Sequence, residues 1–382
     1  MSRHEAKFIK EIIKDVLNKL DPKYLDVPEL LVGMDRLSRN IFDFLSTATH
    51  DVRIVGIHGM PGIGKTTIAK VVFNQLCYGF EGSCFLSDIN ERSEQVNGLV
   101  LLQKQLLYDI LNQYAANINC VDGGKVLIRE RLRRKRVLLV ADDLAHLDQR
   151  NALIGDRSWF GPGSRVIITT RDSSLLREAD QTYQIEELEP DEALQLFSWH
   201  AFKDTKPTED YIELSKKAVD YCVGLPLALD VIGALLYGKE KDRWESEIDN
   251  LSRIPESNIQ GKLLISLDAL DGELRNAFLD IACFFIDVEK EYVAKLLGAR
   301  CRYNPEVVLE TLRERSLIKV FRGMVTMHDL LREMGREVVC KASPKEPGKR
   351  TRIWNQEDAW NVLEQQKVRA QCIHESIVMR IF

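Results

Sequence analysis

Eight consecutive residues, Gly59-Met60-Pro61-Gly62-Ile63-Gly64-Lys65-Thr66, constrain the chain more than any other stretch. They match G-x-x-x-x-G-K-[ST] at every fixed position. A short apolar run at 54–57 precedes them and an amphipathic run over 63–76 follows, so the pattern predicts strand, glycine loop and helix in that order. Glycines in such a loop let N–H groups curl around phosphate oxygens with no Cβ in the way. The helix start adds the positive end of its dipole. Lys65 would reach the β- and γ-phosphates, and Thr66 would offer its hydroxyl to Mg2+.

The surrounding pattern agrees with that loop. Apolar runs at 84–86, 137–140, 165–169 and 183–185 alternate with helical periods such as 99–111. Continuous apolar strands between helices predict a parallel sheet covered on both faces, an α/β P-loop NTPase domain. Beyond Asp191 the period is almost entirely helical, with turns at 224–226 and 254–255. A hairpin is expected from 317–320 and 325–326, turning at Arg322-Gly323, and helices followed by a small hairpin suggest a winged-helix unit. An amphipathic helix is expected over 5–20, ahead of an extended linker over 21–30.

Two further elements fit phosphate chemistry. The run 137–141 ends in Asp142-Asp143, and a carboxylate at the end of a buried strand calls for a cation. Asp142 is the candidate Mg2+ ligand, directly or through a coordinated water, and Asp143 the candidate for positioning or polarising an attacking water. Arg171 follows the strand run 165–169 after Thr170, at the sheet edge where phosphates would sit, and is the candidate γ-phosphate sensor. A surface arginine paired with Asp172 or Asp180 is the competing reading.

Composition excludes several classes. The chain has 382 residues, 53 Lys plus Arg and 58 Asp plus Glu, a net charge of -5, and 45% hydrophobic residues. That is ordinary for a globular protein and argues against a nucleic-acid coat, a disordered tail or a collagen-like chain. Residues 300–352 are locally basic, including Arg300, Arg302, Arg313, Arg315, Arg322, Lys349, Arg350 and Arg352, which keeps a winged-helix DNA-binding regulator open as an alternative. The eight cysteines form no C-x-x-C and no zinc spacing, and read as small hydrophobes in a reducing compartment. The apolar run around Cys283 is cut by Asp280 and Asp287, so no membrane span is expected. The expected compartment is the cytoplasm, with the nucleus also allowed.

The stretches 59–67, 138–143 and 163–171, Gly224-Leu225-Pro226-Leu227-Ala228-Leu229 and Met327-His328-Asp329 occur in this order. Together they resemble the nucleotide-binding NB-ARC module of plant disease-resistance proteins, a branch of the STAND class of P-loop switches. The runs 278–285 and 82–86 are similar to the version found in receptors with an N-terminal TIR domain. The resemblance implies an amphipathic helix and linker over 1–30, a nucleotide-binding α/β domain over 31–188 and a helical ARC1 domain over 189–265. A winged-helix ARC2 domain over 266–366 and a divergent tail over 367–382 would follow. It assigns Val32 and Gly33 to the adenine and ribose region, Gly59, Pro61, Gly62, Ile63, Gly64, Lys65, Thr66 and Thr67 to the phosphates, and Pro226 to the adenine. His328 would hydrogen-bond the β-phosphate of ADP and lock a closed state. Each of these two has a plainer reading, Pro226 as a helix-breaking turn and His328 as a helix start.

The sequence departs from the family at Ala141 and Ala145, where leucine and an acid are usual. The chain opens on what resembles the linker after a TIR domain, and its end does not continue toward leucine-rich repeats. The expectation is either a natural truncated product or an excised piece. The resemblance implies an ADP/ATP switch with Mg2+, closed with ADP and open with ATP, acting in defense and signal transduction. As an enzyme it would be at most a slow ATPase used for resetting. The open form would self-associate or join full-length TIR-type receptors, with no nucleic-acid partner. A conventional P-loop ATPase is the other alternative. No glutamate follows Asp143 to serve as a strong base, and the pathogen product sensed is not readable from these residues.

Overall fold

The computed structural model describes residues 24–47, 49–111, 118–252, 259–299 and 303–364. The expected helix over 5–20, the turn at 254–255, Arg300, Arg302 and the tail over 367–382 lie outside them. The chain divides into two units, Met1–Glu186 and Glu187–Phe382.

In the first unit, α1 (Asp35–Ser46) precedes β1 (Arg53–His58), and the glycine loop leads into α2 (Lys65–Leu76). Then come β2 (Gly82–Leu86), α3 (Ile89–Ser93), α4 (Gly98–Leu111), α5 (Val121–Leu132), β3 (Val137–Leu144), α6 (Leu147–Leu153), β4 (Arg165–Thr170) and β5 (Gln181–Gln184). The strands form one parallel sheet in the order β2-β3-β4-β1-β5. Residues 137–141 of β3 are fully buried, as a central strand covered on both faces demands. One face packs Leu139, Val166 and Ile168 with Leu102 and Leu106 of α4; the other packs Val55, Ile57 and Val140 with Ile68 and Val72 of α2.

Among the boundaries that differ from the sequence expectation, two bear on the site, at the glycine loop and at the aspartates. The helix opens at Lys65 rather than 63, because Gly64 before it has φ 102°, outside the helical region. The strand β3 runs on through Asp142-Asp143 to Leu144, but its register to β4 breaks between Ala141 and Leu144. Asp143 sits at φ 56°, unusual for a residue with a side chain.

The second unit is helical around two cores. Trp244 of α10 (Lys241–Ser252) is buried among Phe197 and Phe202 of α7 (Pro190–Phe202) and Tyr211, ahead of α8 (Ile212–Cys222), and α9 (Pro226–Leu236) accepts the Trp244 indole N–H at Leu236 O. The other core unites α11 (Ile259–Asp268), α12 (Gly272–Phe284), α13 (Lys290–Gly298), α14 (Pro305–Glu314) and α15 (Asp329–Ala342), with α16 (Gln356–Glu364) the last helix described. A small antiparallel sheet accompanies them, β6 (Val288–Glu289), β8 (Met324–Thr326) and β7 (Lys319–Phe321) in that order. The hairpin begins at Lys319 because Leu317 and Ile318 are core residues whose N–H groups bond Leu312 O. The strand β6 was not anticipated, since two residues carry no readable period.

Candidate nucleotide site

The loop 59–64 joins the carboxyl end of β1 to the start of α2. Gly64 needs its missing side chain twice over: its φ is 102°, and a Cβ would lie 2.7 Å from Met34 Cε. That approach sets the segment after Val32 and Gly33 against the loop. Val32 is buried and Gly33 exposed. On the other side, Ile185 just past β5 donates its N–H to His58 O, and its carbonyl faces Gly59. Pro61, Gly62 and Ile63 form the loop's turn, where Ile63 N–H bonds Met60 O.

Lys65 is buried, with Nζ 2.9 Å from Gly59 O and 2.9 Å from Met60 O. The loop's own carbonyls thus hold the ammonium, and a phosphate bound at the loop would compete for it. Thr66 and Thr67 follow in the first turn of α2, half-buried.

Asp142 is the most enclosed charge of this site, 1% exposed. Thr66 Oγ1 lies 3.0 Å from its Oδ1 and 3.1 Å from its Oδ2, and Thr169 Oγ1 donates to Oδ1 at 2.6 Å. Burial pushes its pKa up to about 7, with the nearby Asp88 adding to the rise and the two hydroxyl donors opposing it. Among the described residues, no group of three or more His, Cys, Asp and Glu is arranged to hold a metal ion. One carboxylate, one hydroxyl and the oxygens of a bound phosphate are the hard donor set that suits Mg2+, and a buried carboxylate so reluctant to ionise fits a cation beside it.

Asp143 and Arg171 are brought together. Arg171 Nε lies 3.4 Å from Asp143 Oδ1, with the arginine a third exposed. Of the alternative partners, Asp180 takes Arg157 at 2.8 Å and Asp172 caps the short turn after β4 by accepting from Ser174 N–H. Sequence reasoning missed Thr169 and Asp88. Thr169 is a polar residue at the end of an apolar strand, which was visible. Asp88 lies past β2, which pairs with β3 at Leu86 and Ala141, and nothing in the sequence announces that neighbour.

The other two candidates belong to the second unit. Pro226 is the first residue of α9, where a missing N–H is harmless. Gly224 before it has φ 62°, and a Cβ there would meet Leu188 O at 2.6 Å. His328 is the N-cap of α15, its Nδ1 accepting from Leu330 N–H at 3.2 Å, and Arg332 donates to Asp329 at 2.7 Å.

The basic run over 300–352 is largely satisfied by the protein itself. Arg313 engages Glu310, Arg350 engages Asp358, Lys349 engages Glu346, and Arg315 donates to Ala269 O. Arg352 is buried with Asp280 at 2.6 Å. Two arginines of this basic run, Arg350 and Arg352, therefore point inward.

A parallel sheet in this strand order, with the lysine loop after β1 and a buried aspartate meeting its threonine, defines a P-loop nucleotide-binding protein. The NB-ARC domain family matches residues 34–207, and the Roq1-like winged-helix domain of disease resistance proteins matches 272–343. The chain thus carries an NB-ARC domain followed by a winged-helix domain of the kind found in disease resistance proteins. It is 41% identical over 355 residues to disease resistance protein RUN1 of Vitis rotundifolia, covering 92% of this chain and 26% of that protein. It is 39% identical over 358 residues to TMV resistance protein N of Nicotiana glutinosa, covering 92% and 31%. The chain thus spans between a quarter and a third of the length of these relatives. In fold it is similar to a signal transduction ATPase with numerous domains (STAND) protein with a tetratricopeptide repeat sensor from Pyrococcus horikoshii. That match has a TM-score of 0.50 at 20% identity and covers 92% of this chain and 48% of the other. Among the described residues no helix is long and apolar enough to cross a membrane.

Proposed function

We propose that this module is the nucleotide switch of a plant intracellular immune receptor, holding ADP in a closed state and ATP in an open one. The observation that carries the reading is the pairing of Thr66 with Asp142 beside the Lys65 loop. Gly59, Pro61, Gly62, Ile63 and Gly64 would cradle the phosphates with their backbone, Lys65 would hold the β- and γ-phosphates, and Thr67 would lie at the α-phosphate end. Val32 and Gly33 would face the adenine and ribose. Thr66 and Asp142 would hold Mg2+, which when bound neutralises phosphate charge.

Asp143 would position the attacking water and Arg171 would sense the γ-phosphate. Their mutual ion pair supports slow turnover, because Arg171 must leave Asp143 before it can meet a phosphate. By family correspondence Pro226 would contact the adenine and His328 the β-phosphate of ADP. The helical part over 189–265 and the winged-helix part over 266–366 would then be the moving parts. Shifting such a switch from 1:99 to 99:1 needs about 5.5 kcal/mol of differential binding. A few charge-assisted contacts at His328 and Arg171 are of that order. The ATP form would self-associate or join TIR-type receptors, in the cytoplasm or nucleus, in defense signalling.

The test is to denature the purified protein and identify the nucleotide released. Stoichiometric ADP is expected, and the absence of any nucleotide would overturn the reading. Steady-state phosphate release distinguishes the conventional ATPase: turnover on the order of 1 per second, ordinary for an enzyme, would favour that alternative.

A further inference from the structure

At the end of β4 two neighbouring threonines have different duties. Thr170 Oγ1 donates to Leu144 O at 2.6 Å and accepts from Asp172 N–H at 3.0 Å, closing the turn. Thr169 Oγ1 instead donates to Asp142 Oδ1 at 2.6 Å and accepts the Asp143 N–H at 2.8 Å. One hydroxyl, 1% exposed, thereby ties together both aspartates. This happens where the β3–β4 ladder breaks between Ala141 and Leu144 and Asp143 takes φ 56°. With the ladder interrupted there, the Asp143 N–H takes the Thr169 side chain as its acceptor.

We infer that Thr169 is the positioning residue of the metal end of this site, orienting the Asp142 carboxylate toward the cation and holding Asp143 in its left-handed conformation. The inference rests on the nucleotide-switch reading above. Thr66 is the other hydroxyl on Asp142, but it would be occupied with the metal itself. Thr169 is the donor that has no such second task, so it can hold the carboxylate whether or not a cation is bound. A hydroxyl has one proton to give and lone pairs to receive with, so Thr169 can serve both aspartates at once. Serine can do the same, whereas valine keeps the shape and loses both bonds. Partners of metal ligands typically change metal affinity by about 10- to 100-fold when removed.

The experiment measures ADP affinity of the full chain by calorimetry across a Mg2+ titration and in EDTA, for wild type, Thr169→Val, Thr169→Ser and Thr170→Val. The expected result is an apparent Mg2+ affinity about tenfold weaker in Thr169→Val, with ADP affinity in EDTA unchanged. Thr169→Ser should behave as wild type. Thr170→Val should lower the melting temperature while leaving the Mg2+ dependence alone. Equal losses with and without Mg2+, an unchanged Mg2+ curve in Thr169→Val, or the same Mg2+ defect in Thr170→Val would each overturn the inference. Should Thr169→Val fail to fold, Thr169→Ala takes its place under the same criteria, and a Thr169→Ser variant with weakened Mg2+ response overturns it independently. If wild type binds no nucleotide at all, the switch reading itself fails; if wild type binds with normal Mg2+ dependence and the Thr169 variants match it, only the role of Thr169 fails.

Discussion

The two units bury polar groups in different ways. In the first, Lys65 and Asp142 are enclosed at the carboxyl edge of the sheet, the lysine held by loop carbonyls and the aspartate by two hydroxyls. In the second, Asp280 is buried against its opposite charge, Arg352, which also donates to Asn276 O at 3.0 Å. The second arrangement satisfies itself. The first leaves Asp142 with its pKa raised to about 7 by burial, an arrangement that a cation would relieve. The functional candidates of the second unit, Pro226 and His328, sit where any helix would welcome them. The difference teaches that the candidate residues of the first unit show themselves as unrelieved cost, whereas those of the second carry only ordinary helix chemistry.

Several experiments would break or sharpen that contrast. The largest effect belongs to the self-satisfied pair. Asp280→Ala should strand the buried Arg352 and cost about 3–5 kcal/mol in a denaturant melt. The double change Asp280→Leu with Arg352→Met should recover most of it; no recovery would mean the pair does more than satisfy itself. Next is Lys65→Arg, whose longer planar head cannot occupy the ammonium's position between Gly59 O and Met60 O. Nucleotide affinity should fall about 100-fold, roughly 2.7 kcal/mol, and a variant still purified with stoichiometric ADP would refute the assignment.

Third comes the sign of the Asp142 titration. Its folded pKa is raised above the ordinary value near 4, so the protonated acid favours folding. That contribution is complete at low pH and is lost as pH rises toward about 7. In protein stripped of nucleotide and Mg2+, Asp142→Asn should gain on wild type by about 2 kcal/mol between pH 5 and pH 8, read as the difference in their melts. A constant difference across that window would show that Asp142 is not the strained group.

Smaller effects probe the second unit. His328→Ala should lose the cap on α15, about 1 kcal/mol, whereas His328→Asn keeps a capping side chain and the stability. If His328 also holds ADP, both variants should speed ADP release; release unchanged in the Asn variant would reduce His328 to a cap. Pro226→Ala should cost under about 1 kcal/mol in stability and weaken ADP about threefold, the loss of a small apolar contact.

Legibility followed the same divide. The glycine loop and its helix were plain because phosphate cradling restricts both residue types and spacing. The strand runs were readable because central parallel strands exclude polar residues from end to end. The path of β3 past Asp142 was not, since the left-handed Asp143 and the ladder break arise from the neighbouring β4. The inward direction of Arg350 and Arg352 was not readable for a related reason: the acids they meet, Asp358 and Asp280, are 8 and 72 positions away.

The sequence alone therefore determined the class of fold, the phosphate loop and the identity of Asp142 as the acid opposite it. Those depend on local restrictions: apolar continuity, glycine where backbone must approach closely, and a charge where none is otherwise tolerated. Only the tertiary structure decided that Thr169 serves both aspartates, that burial and then Asp88 raise the pKa of Asp142, and that Arg171 reaches Asp143. Those outcomes are set by which strand ends the sheet order places side by side, and adjacency across a sheet leaves no mark on the spacing of residues along the chain.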